Sequence, residues 1–501
     1  MAITPRLEKV SFQKCSEVTN KNKIECKLGV CEEDLQVLCS NACASLSNAE
    51  IIDGEIRFNG KAIFSAVCSN GKDLQKYESG VEFSYKFNSG VSGFCKFLNF
   101  AKVDVLDVEV VKQNGVLLAT ATILFTGEVC KEEDIEQISF TNADFLIKKH
   151  SLNKSEVIAT VKKSFKLQEE FEVAGNVKDV IRHYEKAYLT SSQCGIGCVI
   201  NDGEVELNMA LKTNSESGSI IFERRKIPFR LESEAVEVMP NNVALSNLEI
   251  CGSNVRVYVD ESKGKSLVNF EVELYISSVI YENIAYNYCE DAYSTTCNLK
   301  LEKSKKSIET ITEVESVEKK IVGELAYFDE NAGLICVLND KIEEISSVFN
   351  GSEIIVKGVA SISMLLNDNG EVKCQTSLVP FEANFLARCS SVKNINCAIV
   401  GVNVEKLDGK FTFSFILKVG YACVSKQEVN VLLKVEEGEK KPLNDSAISV
   451  YIASKGEDLW DVCKALNASE EVILNSNGEL VFPLEKEERI LIYRELNKGE
   501  A

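Results

Sequence analysis

A short motif that recurs at a constant interval constrains this chain more than any other feature. Asp53-Gly54-Glu55-Ile56 returns as Asp202-Gly203-Glu204-Val205, 149 positions later, and Gly351-Ser352-Glu353-Ile354 lies another 149 positions on. Self-similarity at a fixed period means tandem copies of one folding unit. In the second copy, Val205, Leu207, Met209 and Leu211 then interleave with Glu206, Asn208 and Ala210. A period of two gives one buried and one open face, the pattern of an antiparallel strand.

Two further landmarks follow in the same order. The first is an aliphatic–X–Phe element: Val81-Glu82-Phe83, Ile227-Pro228-Phe229 and Val379-Pro380-Phe381. Proline beside the aromatic predicts an edge strand or a strand start. The second is a hairpin turn at Gln113-Asn114-Gly115, Ser262-Lys263-Gly264 and Leu407-Asp408-Gly409. Asn-Gly and Asp-Gly supply the positive φ values of a type I′ turn. Charge-rich stretches at Asn153–Lys166 and Glu302–Lys320, and a Gly/Pro-bearing linker at Glu436–Pro442, mark the expected boundaries. The expected fold class is mainly β, with three tandem β-sandwich or barrel-like repeats at 1–158, 159–312 and 313–437. A linker at 438–446 then leads to a small α+β (βααβ) module at 447–496.

The C-terminal module changes period. Ile448-Ser449-Val450-Tyr451-Ile452 reads as a strand, and Leu459, Val462, Cys463 and Leu466 lie at i, i+3, i+4 and i+7, one face of a helix. Ser469 is a natural N-cap for a short second helix that stops near Gly478, and Ile490–Tyr493 closes the unit as a strand.

Composition removes whole classes of function. The 501 residues carry a formal charge of −20, so phosphate backbones and anionic lipid would be repelled, and no nucleic-acid partner is expected. No apolar run approaches the roughly 20 residues that span a bilayer, and no apolar core follows Arg6 and Lys9, so an intracellular protein without a transmembrane segment is expected. Nineteen cysteines then read as reduced, mostly buried thiols. The CxxxC pairs Cys39/Cys43 and Cys194/Cys198 lack a second knuckle, so no metal site is assigned. There are two histidines, His150 and His183, and no GxGxxG, Walker A, HExxH or GxSxG. No catalytic residue and no cofactor is expected.

The strand–helix–helix–strand order resembles a LysM domain. Lys455-Gly456-Glu457-Asp458-Leu459-Trp460 looks like the LysM opening, in which Gly-Asp precedes a Leu-Trp pair, although Glu457-Asp458 stands where Asp-Thr is usual. Asn475 and Asn477-Gly478 resemble the family's Asn near the end of helix two. The resemblance implies a ligand site between Lys455–Asp458 and Asn475–Leu480, so Lys455, Gly456, Glu457, Asp458, Trp460, Asn475, Asn477, Gly478 and Leu480 are the candidate binding residues. Trp460 reads most simply as helix core, with a sugar-stacking platform as the alternative.

The repeats are similar to the SPOCS domain, through Phe171-Glu172-Val173, Asn176-Val177-Lys178-Asp179-Val180-Ile181 and the Asp202-Gly203-Glu204 strand. Tandem SPOCS domains ahead of a LysM resemble the SipL-like spore coat morphogenetic proteins of clostridia. That resemblance implies a non-enzymatic scaffold in the mother-cell cytoplasm, at the forespore surface, whose LysM docks a protein partner, the ATPase of the coat basement layer. The alternative is a protein that holds peptidoglycan through N-acetylglucosamine polymers.

Overall fold

The computed structural model describes residues 6–493, apart from 34, 71–73, 92–94, 141–144, 215–218, 261–264, 326–331, 369–370, 408–409, 443–447 and 479. The described residues are mainly β, with two short helices near the C-terminus. The first six strands are β1 (Arg6–Val30), β2 (Gln36–Ile52), β3 (Glu55–Ser69), β4 (Leu74–Asn88), β5 (Cys95–Gln113) and β6 (Val116–Phe140). The next six are β7 (Phe145–Ala174), β8 (Val177–Cys194), β9 (Cys198–Thr213), β10 (Ile220–Glu234), β11 (Val243–Asp260) and β12 (Lys265–Ser294). The last set is β13 (Cys297–Glu324), β14 (Gly333–Phe349), β15 (Glu353–Asp368), β16 (Glu371–Leu386), β17 (Ser391–Leu407) and β18 (Lys410–Lys440).

Each set of six has the same topology. Its second, third and fourth strands form one antiparallel sheet, and its first, sixth and fifth form another. The inward faces of the two sheets meet in a core, for example Phe58, Phe64, Ile123 and Phe125 in the first set. The second and third sets are built alike around Leu207 and Phe270, and around Ile354 and Phe415.

One device recurs in all three sandwiches. Phe83, Phe229 and Phe381 stand directly across from Gly60, Gly203 and Gly358 on the central strand. A β-carbon at Gly203 would lie 2.4 Å from the Phe229 ring and 2.5 Å from the Tyr188 carbonyl, and Gly60 and Gly358 are crowded by the same kinds of atom. The glycine lets the ring fold flat over the strand and fill the core space that a side chain would have occupied. Pro228 and Pro380 lie on edge strands β10 and β16, as the missing N–H of proline favours.

The Asp-Gly motif is not in structural register. Asp53-Gly54 forms the β2–β3 turn, with φ values of 50° and 80°, and Gly351 sits in the β14–β15 turn. Asp202-Gly203 lies inside β9, and the matching turn of the second set is Gly195-Ile196-Gly197. Asn114-Gly115 forms the β5–β6 turn, with both φ values positive as a type I′ turn requires. Ser262-Lys263-Gly264 and Asp408-Gly409 lie outside the described residues.

The first and sixth strands outrun their sandwiches. β11 stops pairing with β12 at Tyr281, while β7 continues to Ser294; β6 and β18 likewise continue past β5 and β17 with only β1 and β13 beside them. Two-stranded ribbons are marginal alone. Here three of them share a core of Phe12 and Ile135, Leu152 and Tyr286, and Ile308 and Val431. Tyr286 and Gln137 tie the first two ribbons by a 2.8 Å hydrogen bond. The charge-rich stretches Asn153–Lys166 and Glu302–Lys320 run through β7 and β13 as continuous strand, so the positions 158/159 and 312/313 fall inside strands. Both faces of these strands are covered in part: Ile308 and Ile311 are buried on opposite faces of β13 in different cores, and on β7 Val157 and even Lys154 are buried.

Candidate functional site

The C-terminal module comprises β19 (Ile448–Ala453), α1 (Leu459–Leu466), α2 (Glu470–Asn477) and β20 (Glu488–Tyr493). Local sequence sets each boundary. The Asp458 carboxylate accepts from the Asp461 N–H and caps α1, Ser469 caps α2 through the Val472 N–H, and Gly478 ends α2 at a φ of 64°. β19 pairs antiparallel with β20, and Val462, Cys463, Ile473, Ile490 and Ile492 form the module's core. Residues 443–446 of the expected linker, and 447, 479 and 494–496 of the expected module, lie outside the described residues.

The nine candidate residues do not converge on one cavity. Lys455 and Gly456 are exposed at a turn in which Gly456 takes a φ of 89°. The Gly456 N–H donates to the Leu484 carbonyl, and the Leu484 N–H donates to that of Glu457, which joins the first loop to the chain ahead of β20. The Glu457 carboxylate accepts from the Tyr451 hydroxyl at 3.1 Å. Asn475 is exposed, whereas Asn477 clamps α2 to β20, donating to the Leu491 carbonyl and accepting from its N–H. Gly478 is the helix cap and Leu480 packs against the core.

Asp458 and Trp460 face the ribbons instead. Asp458 pairs with Lys148 of β7 at 2.8 Å. Trp460 is 7% exposed; its ring meets the edge of Tyr293, and its indole N–H donates to Asp291 at 3.1 Å. Asp291 also holds Lys303 and Lys464. Burial alone would raise the Asp291 carboxyl, but the donors from Lys464, Lys303 and Trp460 outweigh it and hold it at about 2. Tyr293 closes the contact, donating its hydroxyl to the Ala468 carbonyl at 2.6 Å. The module is thus seated on the free end of the β7–β12 ribbon. Leu146, Tyr293 and Asp291 carry no local pattern that points to this role.

The module's other side is open. Ile448, Val450 and Ile452 alternate along β19 and are each more than half exposed, and Tyr493 lies opposite Ile448. The helices cover only one face of this two-stranded sheet, so these side chains form an aligned apolar stripe in water.

Other candidate chemistry resolves locally. His183 meets Glu185 at 2.7 Å, and His150 meets Glu290 at 2.8 Å. Glu185 also interacts with Ser253, so the carboxylate, not the imidazole, sits between the other two groups. Cys15 and Cys130, opposite each other on β1 and β6, form a disulfide, which corrects the expectation of thiols throughout; the other described cysteines are free. Glu128 stands beside that pair, whose sulfurs are bonded to each other. Two shallow depressions, of about 550 and 480 Å³, lie over Gly358–Phe381 and Gly203–Phe229. No described helix is long and apolar enough to cross a membrane. No family model, curated protein or solved structure matches this chain.

Proposed function

We propose that this chain is a non-enzymatic scaffold of spore coat assembly, and that its C-terminal module docks a partner protein, the ATPase of the coat basement layer. The observation that carries the reading is the exposed stripe of Ile448, Val450, Ile452 and Tyr493 on a module whose opposite side is anchored to the ribbons. Single exposed apolar side chains are ordinary, whereas four aligned on one small sheet gain free energy when a partner covers them.

The body suits a scaffold. Three ribbons that share cores carry the module on one of their ends, so partner capture does not spend free energy on ordering it. Nucleophilic catalysis needs a base within reach of the nucleophile, and the His183–Glu185–Ser253 order does not provide one. The glycan reading would use Trp460 as a stacking platform, and that ring is packed against Tyr293.

Full-length protein is to be tested for co-sedimentation with the purified basement ATPase and, separately, with purified sacculi. Retention by the ATPase alone supports the scaffold reading. Retention by sacculi, competed by N-acetylglucosamine oligomers, overturns it in favour of glycan binding.

A further inference from the structure

Cys15 and Cys130 stand directly across from each other on β1 and β6, and Glu17 and Glu128 form the facing pair two residues along. Side chains alternate along a strand, so all four lie on one face of the sheet, the face turned away from the Ile123 and Phe125 core. The Glu128 Oε1 lies 3.7 Å from the Cys130 sulfur, and one ligand atom from each of Cys15, Cys130 and Glu128 falls within 4.8 Å of the others. Among the described residues this is the one group of three such side chains so closely set.

The surroundings support the sulfur and leave the carboxylate unneutralised. Cys130 is 1% exposed, and Asn99 of β5 is fully buried beside it. The Asn99 amide donates from Nδ2 to the Cys130 sulfur at 3.3 Å, and its Oδ1 accepts from Thr160 of β7 at 3.2 Å, which fixes the amide's orientation. Glu17 and Glu128 set like charges opposite each other, an arrangement that destabilises a sheet unless a cation intervenes. Glu128 makes no ion pair among the described residues; Lys393, the cation whose charge reaches it, is held by Glu309 at 2.5 Å.

Two thiolates and a carboxylate are donors that zinc takes in a tetrahedral shell, with one position left for water. Zn–S and Zn–O bonds of about 2.3 and about 2.1 Å set sulfur and oxygen about 3.6 Å apart, and two sulfurs about 3.8 Å apart. The first spacing matches the 3.7 Å between Cys130 and Glu128. Reduced thiols reach the second by side-chain rotation, since facing β-carbons on paired strands are about 4.5–5.5 Å apart.

We propose that Cys15, Cys130 and Glu128 form a zinc site once the disulfide is reduced, with Asn99 supporting the Cys130 sulfur from outside the metal's own shell. A low-molecular-weight thiolate attacks the Cys15 sulfur; the S–S bond breaks and its electron pair leaves on Cys130, to which Asn99 donates. A second small thiolate attacks the small thiol's sulfur in the mixed disulfide and releases the Cys15 thiolate. The protein disulfide is reduced to two thiols, and two small thiols are oxidised to one small disulfide. Zinc then takes both sulfurs as thiolates and their protons go to solvent. The disulfide and the metal are alternative ties between β1 and β6 at the same point.

The test reduces full-length protein with dithiothreitol, desalts it without oxygen, titrates it with Zn²⁺, then alkylates the cysteines and maps them by mass spectrometry. The expected result is that zinc protects Cys15 and Cys130 together, and that reduced wild type holds one more tightly bound zinc than reduced Cys15→Ser. Glu128→Gln keeps both thiols, and its disulfide form should melt no lower than wild type. Once reduced, it should need about tenfold or more zinc for the same protection. Alkylation of Cys15 and Cys130 at one rate with and without zinc, or protection confined to other cysteines, overturns the proposal in wild type alone. Unchanged zinc affinity in Glu128→Gln overturns the assignment of the carboxylate.

Discussion

The indole N–H of Trp460 donates to Asp291 across 169 residues of sequence, and the carboxylate oxygen that receives it also accepts from Lys464. One half-buried acid therefore ties two successive turns on one face of α1 to the ribbon end. Asp291→Asn keeps the shape and removes the charge that Lys464 and Lys303 neutralise. Hydrogen bonds to charged groups are worth about 1.5–3 kcal/mol each, and the substitution is expected to cost about 2–3 kcal/mol of docking. Trp460 is the only tryptophan, so its fluorescence reports the contact directly. The expected outcome is a red-shifted emission in the variant at neutral pH.

The same contact has a predicted acid limit. Asp291 is held at about 2 against an ordinary 3.8, so its stabilising contribution is complete above 3.8 and is lost as pH falls through 2. Trp460 emission should therefore stay constant down to about pH 4 and shift only below it. A transition centred near pH 6 would contradict the Asp291 assignment.

Gly203→Ala tests the recurrent core device. The added carbon would meet the Phe229 ring and the Tyr188 carbonyl at 2.4 and 2.5 Å, and forced overpacking costs about 1–3 kcal/mol. Gly252→Ala, where the nearest atom is Ile63 Cδ1 at 3.4 Å, should change Tm much less. Gly60→Ala and Gly358→Ala should resemble Gly203→Ala if the three sandwiches use the glycine in the same way.

Glu249 of β11 gives a prediction of the opposite sign in pH. Burial raises its carboxyl to about 7, even though it accepts the Leu46 N–H across the boundary between the first two sandwiches. The folded state holds a proton that the unfolded state has released, so stability falls as pH rises from about 4.5 to about 7. Glu249→Gln should flatten that part of a Tm-against-pH profile, leaving the acid side unchanged.

Sequence reading recovered these elements unevenly, for physical reasons. The C-terminal helices were legible because their signals are local: Asp458 and Ser469 cap, and Gly478 stops. The Val/Ile–X–Phe landmark was in true register because Phe83, Phe229 and Phe381 share one packing role. The Asp-Gly motif was out of register because glycine serves two needs in a β protein. It supplies positive φ at Gly54 and bare backbone at Gly203, and the letter is the same. The ribbons were hidden because β7 and β13 carry many charged residues between the few that are buried, such as Val157, Ile308 and Ile311, so local charge rises within continuous strand. The seat of Trp460 had no local signal at all, since Asp291 and Tyr293 lie on another element far upstream.

The most direct test of the scaffold reading is the affinity of the full-length protein for the purified basement ATPase, compared between wild type and Val450→Glu. Val450 is 59% exposed and its side chain is outside the module's core, so Trp460 emission and Tm should be unchanged. Measurable binding by wild type and a loss of at least tenfold in the variant are expected, because a buried unpaired carboxylate would replace an apolar contact. Equal affinity in the two proteins, with both folded, would contradict the claim that this open face of the module holds the partner.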